Sequence, residues 1–203
     1  HWHTLSPIWP NILTMENNAS LLAPNPATTT NPSLYLGGIF SYLCTNISNM
    51  LHYHIEQITT NKRAFMPLLL LGDEQESMID RYLDRGEMFA LIDTSQITIA
   101  IAVVTREDNH TFELKNLAVT PSHQRKGYGR TMIDFICHYY SDKADTLLVG
   151  TGDSPHTISF YKSCGFRHSH TLPDFFTQNY DHPITEDGKL LRDMIYLKKV
   201  ISR

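Results

Sequence analysis

One stretch limits the possible folds more than any other: Leu117-Ala118-Val119 followed by Gln124-Arg125-Lys126-Gly127-Tyr128-Gly129-Arg130-Thr131 and an apolar helical pattern. It reads as a strand that ends in a loop opening straight into a helix. The first amides of a helix have no intrahelical acceptor, and the helix dipole lies behind them. Gly127 and Gly129 carry no Cβ, so the backbone can approach a ligand closely. Arg125, Lys126 and Arg130 add positive charge. Together these features predict a cradle for a pyrophosphate.

The strand before the loop carries a second signal. In residues 111–119, Phe112 and Leu114 share one face, but the next apolar residues, Leu117 and Val119, have the opposite parity. A one-residue slip inside a strand marks a β-bulge, which bends the strand and frees backbone groups from the ladder.

The remaining elements follow from periodicity. Residues 51–59 read as a first strand and 63–71 as a helix weakened by Pro67. Asp73 reads as the cap of a second helix, with Glu76 completing a capping box, an apolar face of Met78, Ile79, Tyr82 and Leu83, and a stop at Gly86. Residues 88–92 and 97–104 form a strand pair around Asp93-Thr94-Ser95-Gln96. A helix over 129–140 and a short strand over 146–149 come next. Ser154 then caps a helix with Pro155 in its first turn, and that helix ends at Gly165. Strands over 166–172 and 192–200 finish the chain. The order β-α-α-β-β-β-α-β-α-β-β predicts an α/β (α+β) fold with a mixed sheet and helices on both faces.

The first 49 residues differ. They hold a single charged residue, Glu16, and five of the ten prolines. We read residues 1–49 as an extension outside the domain and 50–203 as the working domain. A net charge of −4 argues against a nucleic-acid surface spread over the protein. No apolar run reaches the roughly 18 residues a membrane span requires. No Lys or Arg precedes Lys62 to form a basic start, so no secretory signal is expected. Cys44, Cys137 and Cys164 cannot all pair within one chain, and they read as reduced thiols of a cytoplasmic protein. His1/His3, His52/His54 and His168/His170 could each place two imidazoles on one strand face, but spacing identifies no third ligand, so no metal is expected.

Two motifs make the chain resemble the GNAT N-acetyltransferase superfamily. Gln124-Arg125-Lys126-Gly127-Tyr128-Gly129 fits that family's Q/R-x-x-G-x-G/A loop. Phe160-Tyr161-Lys162-Ser163-Cys164-Gly165-Phe166 fits its F-Y-x-x-x-G-F signature. The resemblance covers about residues 51–200. It implies a mostly antiparallel sheet of about seven strands splayed at the bulge, acetyl-CoA as cosubstrate and a primary amine as acceptor. Direct attack in a ternary complex needs no enzyme nucleophile. The expected cofactor contacts are Leu117, Ala118, Val119, Gln124, Arg125, Lys126, Gly127, Tyr128, Gly129, Arg130 and Thr131, with Ser154 near the helix start where many members have asparagine. Tyr161 is the expected proton donor to the leaving thiolate, with a core aromatic as the alternative, and Glu113 on the bulged strand is the candidate base. Asp174, Phe175 and Tyr180 are candidate acceptor contacts, because aromatic walls with carboxylates suit a cationic amine. The expected partners are acetyl-CoA and an amine, with no nucleic acid or membrane, and with room for a homodimer. The competing expectation is a non-catalytic acyl-CoA-binding sensor.

Overall fold

The structure, a computed structural model, describes residues 53–201. The extension proposed for residues 1–49, His1/His3, Cys44 and His52 therefore lie outside the described residues. Nine strands and five α-helices occur in the order β1 Tyr53–Ile58, α1 Met66–Leu69, α2 Glu76–Leu83, β2 Glu87–Asp93, β3 Thr98–Arg106, β4 Thr111–Val119, α3 Tyr128–Tyr140, β5 Thr146–Gly152, α4 Pro155–Ser163, β6 Arg167–Leu172, α5 Phe175–Asn179, β7 Thr185–Glu186, β8 Lys189–Leu190 and β9 Met194–Val200. Seven strands make one sheet in the order β1-β2-β3-β4-β5-β9-β6, and β7 and β8 form a separate hairpin. Every neighbouring pair in the large sheet is antiparallel except β4 and β5.

Strand alternation assigns each face its helices. Phe89, Leu91, Ala100, Ala102 and Val104 pack with Met132, Ile133 and Ile136 of α3 and with Tyr161 of α4. Met88, Ala90, Ile101 and Val103 face the other way, onto Leu69 of α1 and Ile79, Tyr82 and Leu83 of α2. Each buried Val, Leu, Ile, Phe or Met among them contributes about 1.5–3 kcal/mol. The C-terminal carbonyls of α2 are closed by a side chain distant in sequence: Lys62 Nζ donates to Leu83 O at 3.0 Å and to Gly86 O at 2.6 Å. A cation there also meets the negative end of the helix dipole.

The phase slip in β4 is a bulge in the structure. Val103 pairs with Asn116 and Val104 with Leu114, which leaves Lys115 as the extra residue. On one side of the bulge β4 pairs with β5 from Thr111↔Thr146 to Leu114↔Val149. Beyond Leu114 the β4–β5 pairing stops while both strands continue, so the sheet splays open along residues 115–119.

The capping box does not form. The residue before α2 is Gln75, whose side chain makes no capping bond, and Glu76 pairs with Arg63 instead. Asp73 lies two residues further out, where it serves the site described next. The long segment after β6 holds two elements too short to show a period, α5 and the β7–β8 hairpin. They pack as a small cluster of Phe176, Ile184 and Leu191.

Candidate active site

The loop between β4 and α3 presents its backbone as the sequence predicts. Arg125 and Gly127 both have positive φ, 62° and 91°. Gly127 occupies the position before α3, and no side chain caps the helix. The amides of residues 125–130 make no hydrogen bond among the described residues. A Cβ placed on Gly127 would meet nothing within 4 Å, so the space over the amides is open. Gln124 braces the loop by donating from Nε2 to Val119 O at 3.1 Å. Arg130 ties it to α4 through Ser163 O at 2.9 Å.

This loop walls one side of a trough of about 880 Å³ whose lining includes Leu117, Val119, Gln124, Arg125, Gly127, Tyr128, Gly129, Arg130, Phe160 and Tyr161. The side chains of four of the predicted contacts are turned elsewhere. Ala118 faces the α1–α2 side of the sheet, because alternation turns it away from Leu117 and Val119. Lys126 points to solvent, and the Thr131 hydroxyl turns back onto Gly127 O at 3.3 Å. Ser154 is fully buried and donates to Asp187 Oδ2 at 2.7 Å. His123, His156, Thr157 and Ser159 line the trough without having been singled out, since no motif marks them.

A second cavity, of about 330 Å³, opens on the other side of the splay. Its wall is built from the Leu71–Glu74 loop, residues 114–117 of β4, 149–152 of β5, and Phe176, Tyr180, Ile184, Glu186, Leu191 and Met194 from the late segment. Leu117, Thr157 and Tyr161 line both cavities, so the two volumes meet at these three residues. Tyr161 is 8% exposed, and its hydroxyl has no hydrogen-bond partner among the described residues. Burial pushes its pKa up, with Cys164 and Glu186 adding to the shift. The phenol therefore stays protonated across the ordinary pH range, as a donor without an acceptor of its own.

Glu113 does not reach this centre. The β4–β5 ladder is still closed at Glu113↔Leu148, ahead of the splay. Its carboxylate accepts from Lys115 Nζ at 2.9 Å and from Tyr196 Oη at 3.1 Å. Glu186, on the β7–β8 hairpin, occupies the place expected of Glu113: it lines the second cavity, accepts from the Thr157 hydroxyl, and is close enough to raise Tyr161. Of the predicted acceptor contacts Tyr180 lines the cavity. Asp174 is instead paired with Arg192, and Phe175 packs edge-on to Phe176.

Asp73 is the residue sequence reasoning misplaced. Tyr180 Oη donates to its Oδ1 at 2.9 Å and Tyr82 Oη to its Oδ2 at 3.3 Å. Asn116 Nδ2 donates in turn to Tyr82 Oη at 3.0 Å and to Leu69 O at 2.9 Å. Burial raises the pKa of Asp73, and these hydroxyls and Lys115 partly offset it.

The comparisons agree with this geometry. Residues 84–168 match the family model described as an acetyltransferase (GNAT) domain. An N-acetyltransferase of Bacillus subtilis strain 168, YvbK, is 36% identical over 151 residues, covering 73% of this chain and 97% of its own length. The chain belongs to the GNAT acetyltransferase superfamily. A GNAT acetyltransferase from Elizabethkingia anophelis with acetyl-CoA bound is similar in structure, with a TM-score of 0.70 at 31% identity over 73% of this chain and 98% of that one. A Bacillus subtilis acetyltransferase in complex with CoA gives 0.66 at 35% identity over 72% and 97%. A GNAT enzyme is an acyl-CoA-dependent N-acetyltransferase, and the open amides of residues 125–130 fit the pyrophosphate of such a donor. Among the described residues no group of three or more His, Cys, Asp or Glu side chains could hold a metal, and no helix is long and apolar enough to cross a membrane.

Proposed function

We propose that this protein transfers the acetyl group of acetyl-CoA to a primary amine by direct attack, with the donor in the trough and the amine in the smaller cavity. The junction of the two cavities at Leu117, Thr157 and Tyr161 carries this reading, because it is where a thioester and an amine would meet.

The roles follow from position. The amides of residues 125–130, backed by the α3 dipole, hold the pyrophosphate. Backbone groups of Leu117 and Val119, left without a β5 partner by the splay, pair with the pantetheine arm and supply an N–H to the carbonyl oxygen as charge builds there. Glu186 takes a proton from the incoming ammonium, since only the neutral amine is nucleophilic. Tyr161 donates its hydroxyl hydrogen to the departing thiolate and regains one from the nitrogen, which sheds its extra proton as the amide forms. Its raised pKa keeps the hydroxyl protonated, so a proton is in place when the thioester breaks.

The test is release of free CoA thiol from acetyl-CoA against a panel of amines, with the acetylated product confirmed by mass spectrometry. Turnover of at least one amine is expected. CoA binding without turnover of any amine would refute the reading.

A further inference from the structure

The smaller cavity carries more negative charge than one ammonium requires, and it carries it in two places. Glu186 lies at the junction beside Thr157 and Tyr161. Asp73 and its neighbour Glu74 lie on the loop before α2. Asp73, on the loop before α2, is held by Tyr180 and Tyr82, and Glu186, on the β7–β8 hairpin, is held by Thr157, so the two acidic positions come from different walls of the cavity. The one basic side chain in the wall, Lys115, is already engaged by Glu113.

The Asp73 end also has an unmet need for a donor. Asn116 is 2% exposed, and its Oδ1 is the one buried side-chain polar atom without a partner among the described residues. Its amide orientation is fixed, because Nδ2 must face the Leu69 carbonyl, which can only accept. An orphaned buried acceptor destabilises the folded chain unless a donor reaches it. Between the two acidic ends the wall is apolar, with Leu71, Phe176, Ile184, Leu191 and Met194. The volume, about 330 Å³, is at the small end of the roughly 300–1,000 Å³ typical of ligand cavities.

Building on the acetyl-transfer reading above, we propose that the acceptor is a short aliphatic diamine. One nitrogen reacts beside Glu186 and Tyr161, and the second stays an ammonium held by Asp73, with Asn116 Oδ1 as a further acceptor. The methylene spacer matches the apolar wall. Tyr180 reaches across from the late segment to fix the Asp73 carboxylate in place.

The test compares amines matched in length and differing only in the far charge: butylamine against 1,4-diaminobutane, and hexylamine against 1,6-diaminohexane and 6-aminohexanoate. With the wild-type protein, kcat/KM for each diamine is expected to exceed that of its monoamine by about 10- to 100-fold, the range for a hydrogen-bonded charge pair. The carboxylate analogue should be poorest of all. In Asp73→Asn the diamine-to-monoamine ratio should fall toward about one, with acetyl-CoA affinity retained. A wild-type ratio near one overturns the proposal even if the variant fails to fold. A high ratio that survives in Asp73→Asn overturns the role of Asp73. If no amine of any kind is acetylated, the transfer reading itself fails and the proposal with it, which separates the two failures.

Discussion

Tyr161→Phe should separate chemistry from folding. The Tyr161 hydroxyl has no partner among the described residues, so removing it breaks no hydrogen bond of the fold. The ring remains to pack at 5.6 Å from Phe166 and 5.1 Å from Phe160. Stability should therefore change by less than about 1 kcal/mol, which for a chain of this size is a Tm shift within about 2–4 °C. The kinetic effect should be much larger. Losing a positioned proton donor to the leaving thiolate costs about 10²-fold in kcat, equivalent to about 2.7 kcal/mol of transition-state stabilisation. KM for acetyl-CoA should stay within about twofold, because the hydroxyl acts on charge that appears only as the thioester breaks. Burial holds Tyr161 protonated above its usual range, so the wild-type kcat profile should show no loss from this group up to about pH 10. Thiol release at saturating amine together with thermal denaturation provides the assay. Unchanged kcat would show that the thiolate leaves without help from Tyr161, and a large fall in Tm accompanied by higher KM would make it a packing residue.

Other variants test other parts of the site. Gly129→Glu should abolish CoA binding by calorimetry, with an intact fold: its Cβ needs only a small shift of Phe160 Cζ at 3.1 Å, while a carboxylate in the trough opposes a pyrophosphate by several kcal/mol, or roughly 100-fold or more in affinity. Glu186→Gln should flatten the rise of kcat/KM with pH that reports amine deprotonation, whereas Glu113→Gln should leave that limb in place because its carboxylate is bonded to Lys115 and Tyr196 outside the cavity. The raised pKa of Asp73 means the folded state holds its proton to higher pH than the unfolded chain does, so this group's contribution to stability declines as pH rises from about 4 through the raised value. Asp73→Asn should accordingly melt at or above the wild-type temperature at pH 7, with the difference shrinking as pH falls toward about 3.5. Gly72→Ala would set a methyl 2.5 Å from Asn116 Oδ1, whose amide is pinned by two hydrogen bonds. It should cost about 1–3 kcal/mol and weaken amine turnover more than CoA binding.

What was legible in the sequence was what depends on neighbours in the chain. The bulge at Lys115 shows as a change of parity between Leu114 and Leu117, and the open run of amides leading into α3 shows because those amides and the glycines are contiguous. Residues whose role depends on distant partners were misplaced. Asp73 has the composition of a helix cap, and only the arrival of Tyr180, 107 positions away, makes it part of a cavity wall. Ser154 has the right residue type and position to cap α4, but Asp187, 33 positions on, takes its hydroxyl. Glu113 lies on the correct strand but on the closed side of the splay, and where the β4–β5 pairing ends is a property of two strands together. Glu186 sits on a two-residue strand, too short for any periodicity to mark.

The most direct test of the central claim is a crystal structure of the protein with CoA bound. The pyrophosphate oxygens should lie about 2.7–3.2 Å from amides within residues 125–130, with the CoA sulfur at the junction beside the Tyr161 hydroxyl and facing the cavity that holds Asp73 and Glu186. A pyrophosphate bound away from that loop, or a sulfur pointing out of the junction, would contradict the account.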